Sequence, residues 1–152
     1  MSTELRNLLQ SMVFTRDVEP RRLDDLVAFS TIVDWEPARK IFREGDVEPS
    51  LYLVIDGCVA LEIAVPGRGH VRILTVGPGE VFGWSSIYYD KPKTAAATAV
   101  EKTRAVKFDA AKLRELSDSD SQFGYWLTRQ LLQVVSERLK ATRVQLLDIF
   151  GS

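Results

Sequence analysis

The stretch from about residue 31 to residue 108 leaves this chain little choice of fold. It is a succession of short runs, "TIVDWE", "RKIFREGD", "SLYLVIDG", "CVALEIAV", "PGRGHVRILTVGPG", "TAAATAV" and "TRAVKFD", in which apolar residues cluster or alternate and turn residues intervene. β-Branched and aromatic residues in runs of this length are strand chemistry, and glycines and prolines at this frequency forbid a long helix. The spacing predicts an antiparallel sandwich or barrel with hairpins turned at Gly45-Asp46, Asp56-Gly57 and Pro66-Gly67.

On either side the hydrophobic period becomes helical. Leu5, Leu8, Leu9 and Met12 share a face, Pro20 stands near a helix start, and Leu23, Leu26 and Val27 follow at helical spacing. Beyond Asp109, "DAAKLRELSD" predicts a short helix, and the polar residues from Ser117 to Ser121 supply turn and N-cap chemistry before a longer helix over about 120–148. The fold class is mainly β with flanking helices, an α+β arrangement. With 152 residues, 45% of them hydrophobic, there is material for one substantial core, so residues 1–152 form a single domain: helices in 1–30, β-structure in 31–108, helices in 109–152.

Charge and cysteine usage narrow the setting. Twenty basic and twenty-one acidic residues give a net charge of −1 with no dense basic block, which argues against nucleic-acid and anionic-membrane partners. Cys58 is the single cysteine and lies in an apolar run, so it reads as a small core residue in a reducing compartment. The N-terminal "MSTELRNLLQSMVF" has no uninterrupted apolar stretch, and no segment approaches the roughly 18 apolar residues of a membrane span. The expected location is the cytoplasm.

The long last helix carries two apolar stripes. Leu132, Val135, Leu139, Thr142, Leu146 and Ile149 alternate steps of three and four, as in a coiled-coil seam, while Leu127, Leu131 and Val134 lie on a displaced stripe suited to covering the β-core. Either one domain buries both stripes or the first meets a partner. A second copy of the same chain is the simplest one, and the pattern favours that homodimer.

Catalysis finds few reagents. The only histidine, His70, falls in the "PGRGH" hairpin and reads as an exposed turn residue. One histidine and one cysteine do not make a zinc set, and Glu44, Asp46 and Glu48 lack calcium-loop spacing, so no metal or other cofactor is expected. "GWSSI" lacks the second glycine of a nucleophile elbow and sits in a β-rich setting. The expectation is a protein that is not an enzyme.

The glycine-bracketed "GPGEVFGWSSIYY" suits binding better. Gly79 and Gly83 permit close backbone approach, and a helical turn starting near Gly83 presents unpaired N–H groups with the Ser85 and Ser86 hydroxyls beside them. If the next strand brings Lys93 and Thr94 back across that turn, an ammonium and a hydroxyl complete a phosphate cradle. The alternative is an ordinary turn with a solvated lysine.

The order of two helices, "IFREGDVEPSLYLVIDGCVALEI", a hairpin, "GPGEVFG", a short apolar helix, "PKTAAATAVEKTRAVKFD" and a long final helix resembles the cyclic nucleotide-binding domain, as in catabolite-activator-type regulators, protein kinase A regulatory subunits and cyclic-nucleotide-gated channels. The likeness spans about residues 10–148, and Gly45, Asp46, Gly57, Gly79 and Gly83 mark it. It implies an eight-stranded antiparallel β-roll, or jelly roll, whose phosphate-binding cassette is a short helix and loop between two strands.

Within the family cassette, F-G-E-[LIV]-A-L followed by P-R-[ST]-A, the glutamate accepts a ribose hydroxyl and the arginine pairs with the cyclic phosphate. Here Phe82 and Gly83 match, Trp84 stands at the glutamate position, Pro92 matches, Lys93 stands at the arginine position, and Thr94 and Ala95 match. Glu80 belongs to the preceding turn and does not replace the missing carboxylate. Lysine keeps the charge without the bidentate fork, and Trp84 either fills the ribose space, stacks on another ligand or closes the pocket. In "SERLKATR", the resemblance places Thr142 where bacterial regulators contact the base, with Arg138 one turn earlier facing the same mouth. Those regulators continue into a helix-turn-helix domain, whereas this sequence stops at Ser152, so DNA binding by this chain is not expected.

Two functions follow as expectations. One is a sensing module that takes a cyclic nucleotide or other anionic effector at Phe82, Gly83, Trp84, Ser85, Ser86, Lys93, Thr94, Ala95, Arg138 and Thr142, and relays it through the last helix to a dimer or a partner protein. The other is a dimerisation or protein-interaction module that kept the fold and lost the pocket.

Overall fold

The computed structural model describes residues 2–47, 49–87 and 92–151. Within these, the side chains of Ser2, Ser85, Ser86, Leu146, Ile149 and Phe150 lie outside the described set, as does Glu48 entirely. The helices are α1 (Ser2–Ser11), α2 (Pro20–Ala28), α3 (Ala110–Ser119) and α4 (Ser121–Gly151). Between α2 and α3 run β1 (Ser30–Trp35), β2 (Lys40–Phe42), β3 (Ser50–Asp56), β4 (Val59–Val65), β5 (Gly69–Val76), β6 (Val81–Phe82), a 3₁₀ turn (Trp84–Ile87), β7 (Ala96–Ala99) and β8 (Thr103–Asp109).

The described strands form two four-stranded antiparallel sheets, ordered β1-β8-β3-β6 and β2-β7-β4-β5. This is the expected β-roll with flanking helices. The turn chemistry corrects one expectation. Pro66-Gly67 does close a hairpin, between the paired strands β4 and β5. Gly45-Asp46 and Asp56-Gly57 instead carry the chain from one sheet to the other, because β2 and β4 lie in one sheet and β3 in its neighbour. Glycine at φ +100° is needed at the second corner: a Cβ on Gly57 would stand 2.5 Å from Thr103 Oγ1 and 2.6 Å from the Lys102 carbonyl oxygen. The buried Thr103 hydroxyl accepts from Cys58 N at 3.1 Å and donates to the Glu101 carbonyl at 2.8 Å, fastening the β3–β4 corner to the β7–β8 corner.

β3 explains why "LYLVI" is apolar without a gap. Leu51 and Leu53 face the helices, joining Leu5, Leu9, Leu23, Leu26, Leu113, Phe123, Leu127 and Leu131 in one core. Tyr52 and Val54, pointing the other way, join Phe42, Val59, Val76, Phe82 and Ala97 in a second core between the sheets. A strand buried on both faces loses the polar half of its alternation.

Caps set the helix limits. Pro20 opens α2, Asp109 accepts from Lys112 N at 3.3 Å to start α3, and Asp120 accepts from Gln122 N at 3.1 Å and Phe123 N at 3.3 Å to start α4. Arg22 of α2 reaches that same Asp120 through Nε at 2.7 Å and also pairs with Asp25, tying the N-terminal helices to the start of α4.

Candidate functional site

The cassette crosses from one sheet to the other. β6 pairs Val81 and Phe82 with Leu53 and Tyr52, the chain turns at Gly83, the 3₁₀ turn runs over Trp84–Ile87, and the segment re-enters the other sheet at β7. Gly83 has φ +80°, and a Cβ there would lie 2.8 Å from the Ser50 carbonyl oxygen and 3.7 Å from Lys93 Nζ. The residue is therefore glycine for two reasons, its left-handed backbone and the closeness of β3.

Lys93 is drawn inward. It is 6% exposed; Nζ donates to the Gly83 carbonyl oxygen at 3.3 Å and sits 5.0 Å from the centroid of the Phe42 ring. Its main chain is clamped to the "EGD" turn, with Lys93 N donating to the Asp46 carbonyl at 2.8 Å and Gly45 N donating to the Lys93 carbonyl at 2.9 Å. Asp46 in turn accepts from Arg43 N at 2.8 Å, which holds that turn closed. The two halves of the cassette thus meet at Gly83 and Lys93, across residues 88–91, which lie outside the described residues.

The surroundings of Lys93 are aromatic. Tyr52 stacks on Phe82 at 4.9 Å between centroids, Trp35 meets Tyr52 edge-on at 5.3 Å, and Phe42 lies 6.1 Å from Phe82. Trp84 is not among these rings. It is half-buried and packs against the helix-side core, to which Ile87 also belongs. Its indole thus faces the helices, and the rings between the sheets come from other strands.

The remaining sequence candidates are spread more widely. Phe82 is buried within the aromatic set, Ala95 is half-buried beside β7, and Thr94 is exposed. The Ser85 and Ser86 hydroxyls lie outside the described side chains. On α4, Thr142 is exposed and its hydroxyl donates back to the Arg138 carbonyl at 2.8 Å. Arg138 is half-buried and its guanidinium donates to the Val81 carbonyl oxygen. Burial lowers the Arg138 pKa, and the carboxylates of Glu80 and Glu137 oppose that shift. Glu80 accepts from Gly77 N at 2.9 Å and so closes the turn before β6. Arg138 and Glu80 line a cavity of about 570 Å³ between α4, β5 and the β5–β6 turn.

Nothing in the local pattern singles out Trp35, Phe42 and Tyr52 as neighbours of the cassette. The signal that could have found them is parity: Tyr52 and Val54 alternate with Leu51 and Leu53, and only Tyr52 and Val54 share the inter-sheet face with Phe82. Among the described residues no group of His, Cys, Asp and Glu is arranged to hold a metal ion, and no helix is long and apolar enough to cross a membrane.

The two-sheet β-roll with terminal helices and a glycine-lysine cassette between β6 and β7 defines the class of fold. The model of the cyclic nucleotide-binding domain matches residues 32–120, and the chain belongs to that family. It is 33% identical over 134 residues to the CRP-like cAMP-activated global transcriptional regulator of Mycobacterium tuberculosis, covering 87% of this chain and 57% of the regulator. The chain thus spans little more than half the length of that relative. Among solved structures, a cyclic nucleotide-binding domain from Methylobacillus flagellatus superposes with a TM-score of 0.80 at 20% identity, over 97% of this chain and 83% of the other. The catabolite activator protein of Thermus thermophilus gives 0.71 at 24% identity, over 91% and 62%. At those identities the two structures show a shared fold.

Proposed function

We propose that this chain is a non-catalytic regulatory sensor that takes a small anionic effector of the cyclic nucleotide class at its cassette and passes the change to α4. The observation that carries the reading is Lys93, an ammonium held 6% exposed beside the Gly83 carbonyl and over the Phe42 ring. A lysine kept out of water at the turn where the family binds phosphate is a point charge suited to an anion, without the arginine fork. The printed name of the mycobacterial relative, a cAMP-activated regulator, supports the same ligand class. Trp84 brings no carboxylate to a ribose hydroxyl, and an unpaired hydroxyl in a buried site costs about 1–3 kcal/mol. Cyclic AMP and cyclic GMP are therefore expected to bind more weakly than in a site with both family contacts.

Isothermal calorimetry of the full chain with cAMP, cGMP and a panel of other nucleotides tests the proposal, with Lys93→Met as the comparison because it keeps the stem and removes the charge. At least one of these ligands should release heat on wild type and bind at least about tenfold more weakly to Lys93→Met, as loss of one charge-assisted contact implies. Equal binding to both proteins, or none to either, sinks the sensor.

Dimerisation rests on a different observation, the outer face of α4. Tyr125, Leu132 and Leu139 follow one another at seven-residue steps and are 68%, 61% and 51% exposed. Large apolar residues at this spacing form a seam for a second helix. We assign it to a second copy of the chain, so that the sensor acts as a homodimer; cytoplasmic location agrees with this use and with the regulator likeness.

A further inference from the structure

Away from the cassette, the corner where α2 gives way to β1 and β8 runs into α3 holds a second concentration of charge. The ladder sets its residues side by side. Lys107 on β8 pairs with Thr31 on β1 and with Tyr52 on β3, and two residues along Asp109 pairs with Ser50. Val106 and Phe108 face the helix-side core, so strand alternation turns Lys107 and Asp109 to the opposite face, the one Tyr52 gives to the core between the sheets. Thr31, Ser50, Lys107 and Asp109, together with Phe29 and Lys112, line a cleft of about 360 Å³.

Main-chain bonds hold its rim. Asp109 N donates to the Phe29 carbonyl at 2.9 Å and Ala110 N to the Pro49 carbonyl at 3.0 Å, which pins the end of α2, the start of β3 and the start of α3 to one another. Lys112, in the first turn of α3, carries its Nζ 5.8 Å from the centroid of the Phe29 ring, and that contact keeps the ammonium at the mouth.

Charge and donors do not balance inside the cleft. Two ammoniums meet one carboxylate, and Asp109 already accepts from Lys112 N at 3.3 Å as the cap of α3. Among the described residues neither Lys107 nor Lys112 has an ion-pair partner. The Ser30 hydroxyl gives its proton to the Val27 carbonyl at 3.0 Å, which leaves Thr31 and Ser50 as hydroxyl donors on the lining. Ser50 is 3% exposed, and among the described residues its hydroxyl has no hydrogen bond. A buried hydroxyl is ordinarily paired, and this one lies where a bound acceptor reaches it.

We propose that this cleft binds the phosphate group of a small phosphate monoester: the Lys107 and Lys112 ammoniums take its charge, and the Ser50 and Thr31 hydroxyls donate to its oxygens. Lysines suit that group as compact point charges, and hydrogen bonds to an ionised oxygen are the strong kind. The volume falls in the ligand-pocket range of about 300–1,000 Å³, which leaves room for more than a bare ion. None of the described residues from 82 to 95 lines the cleft, so the site is separate from the cassette and does not rest on the sensing function.

Amide chemical shifts of the full chain, titrated with inorganic phosphate, glycerol phosphate and glycerol at fixed ionic strength, test the site. Phosphate and glycerol phosphate should move amides 29–31, 50 and 107–112 along saturating curves in the millimolar range, and glycerol should leave them in place. Lys107→Gln and Lys112→Gln keep most of the stem without the charge, and each should raise Kd at least about tenfold, as loss of one charge-assisted contact implies. Lys40→Gln, at an exposed lysine on β2, should bind as wild type does. If the amide spectrum shows Lys107→Gln to be unfolded, the exposed Lys112 decides through its own variant. Shifts that stay linear in concentration, or a Kd unchanged in the folded lysine variants, mean an adventitious ion only and overturn the site. Shifts confined to amides 83 and 93 put the anion at the cassette and overturn it as well. Saturation by phosphate with no response to glycerol phosphate overturns the assignment to a monoester.

Discussion

Lys93 Nζ and the Gly83 carbonyl oxygen lie 3.3 Å apart, and the Ser50 carbonyl oxygen also closes on Gly83. A methyl group added at Gly83 has to fit a left-handed backbone and a contact of 2.8 Å to that oxygen. Gly79 isolates the first effect, since it has φ +85° with nothing within 4 Å of the Cβ position. Gly79→Ala should therefore cost about 1–2 kcal/mol, the left-handed penalty alone. Gly83→Ala should cost about 1–3 kcal/mol more, as overpacking does. Urea denaturation of the two variants checks the order; equal losses would mean that β3 yields.

Trp84 stands where the family carries a ligand-binding carboxylate, yet its indole packs with the helix-side core. Trp84→Ala should thus lower unfolding free energy by about 1–3 kcal/mol, the range for truncating a half-buried aromatic. It should not raise affinity for any nucleotide that binds wild type. Calorimetry reporting tighter binding in Trp84→Ala would mean that the indole blocks the pocket after all.

What the sequence made legible and what it hid divide along a physical line. Periodicity is a local property, so the helices around Leu5–Leu9, Leu23–Leu26 and Leu127–Leu131 and the β-region were readable, and Pro20 and the polar run from Ser117 to Ser121 announced their helix starts. Which sheet a strand joins is not local. Gly45-Asp46 and Asp56-Gly57 carry the same turn chemistry as Pro66-Gly67, but only the last joins two strands of one sheet. The glycine-bracketed stretch left two courses open for Lys93, back across the Gly83 turn or out into water, and the hydrogen bond to the Gly83 carbonyl takes the first. The facing of Trp84 could not be read from the motif, because the 3₁₀ turn decides which core its indole enters. The Arg138–Val81 bond joins positions 57 residues apart and left no mark in either local pattern.

Asp120 provides a pH test. Burial alone would raise its pKa; the hydrogen bonds from Arg22 and from the Phe123 and Gln122 amides outweigh that and hold it below the usual carboxylate range. A carboxyl depressed in the folded state contributes stability at pH values above its unfolded pKa, about 3.9, and the contribution is lost as pH falls through the folded value. Asp120→Asn should therefore be less stable than wild type at pH 7. The gap between the two melting temperatures should close as pH drops below about 4. A gap that is constant from pH 7 to pH 2.5 would show that the carboxylate charge contributes nothing and that only the cap geometry matters.

The two faces of α4 should respond in opposite ways to substitution. Leu131 is 1% exposed in the helix-side core, so Leu131→Ala should cost about 2–5 kcal/mol whatever the oligomeric state. Leu139 is 51% exposed, and one chain by itself gains little from it. If it belongs to a seam between two copies, Leu139→Glu places like charges opposite each other and removes apolar burial from both helices at once. Sedimentation velocity at micromolar concentration should then show wild type and Leu131→Ala as dimers and Leu139→Glu as a monomer. The secondary structure of Leu139→Glu by circular dichroism should match that of wild type. A wild type that sediments as a monomer removes the seam, and a Leu139→Glu variant that remains a dimer moves it to another face.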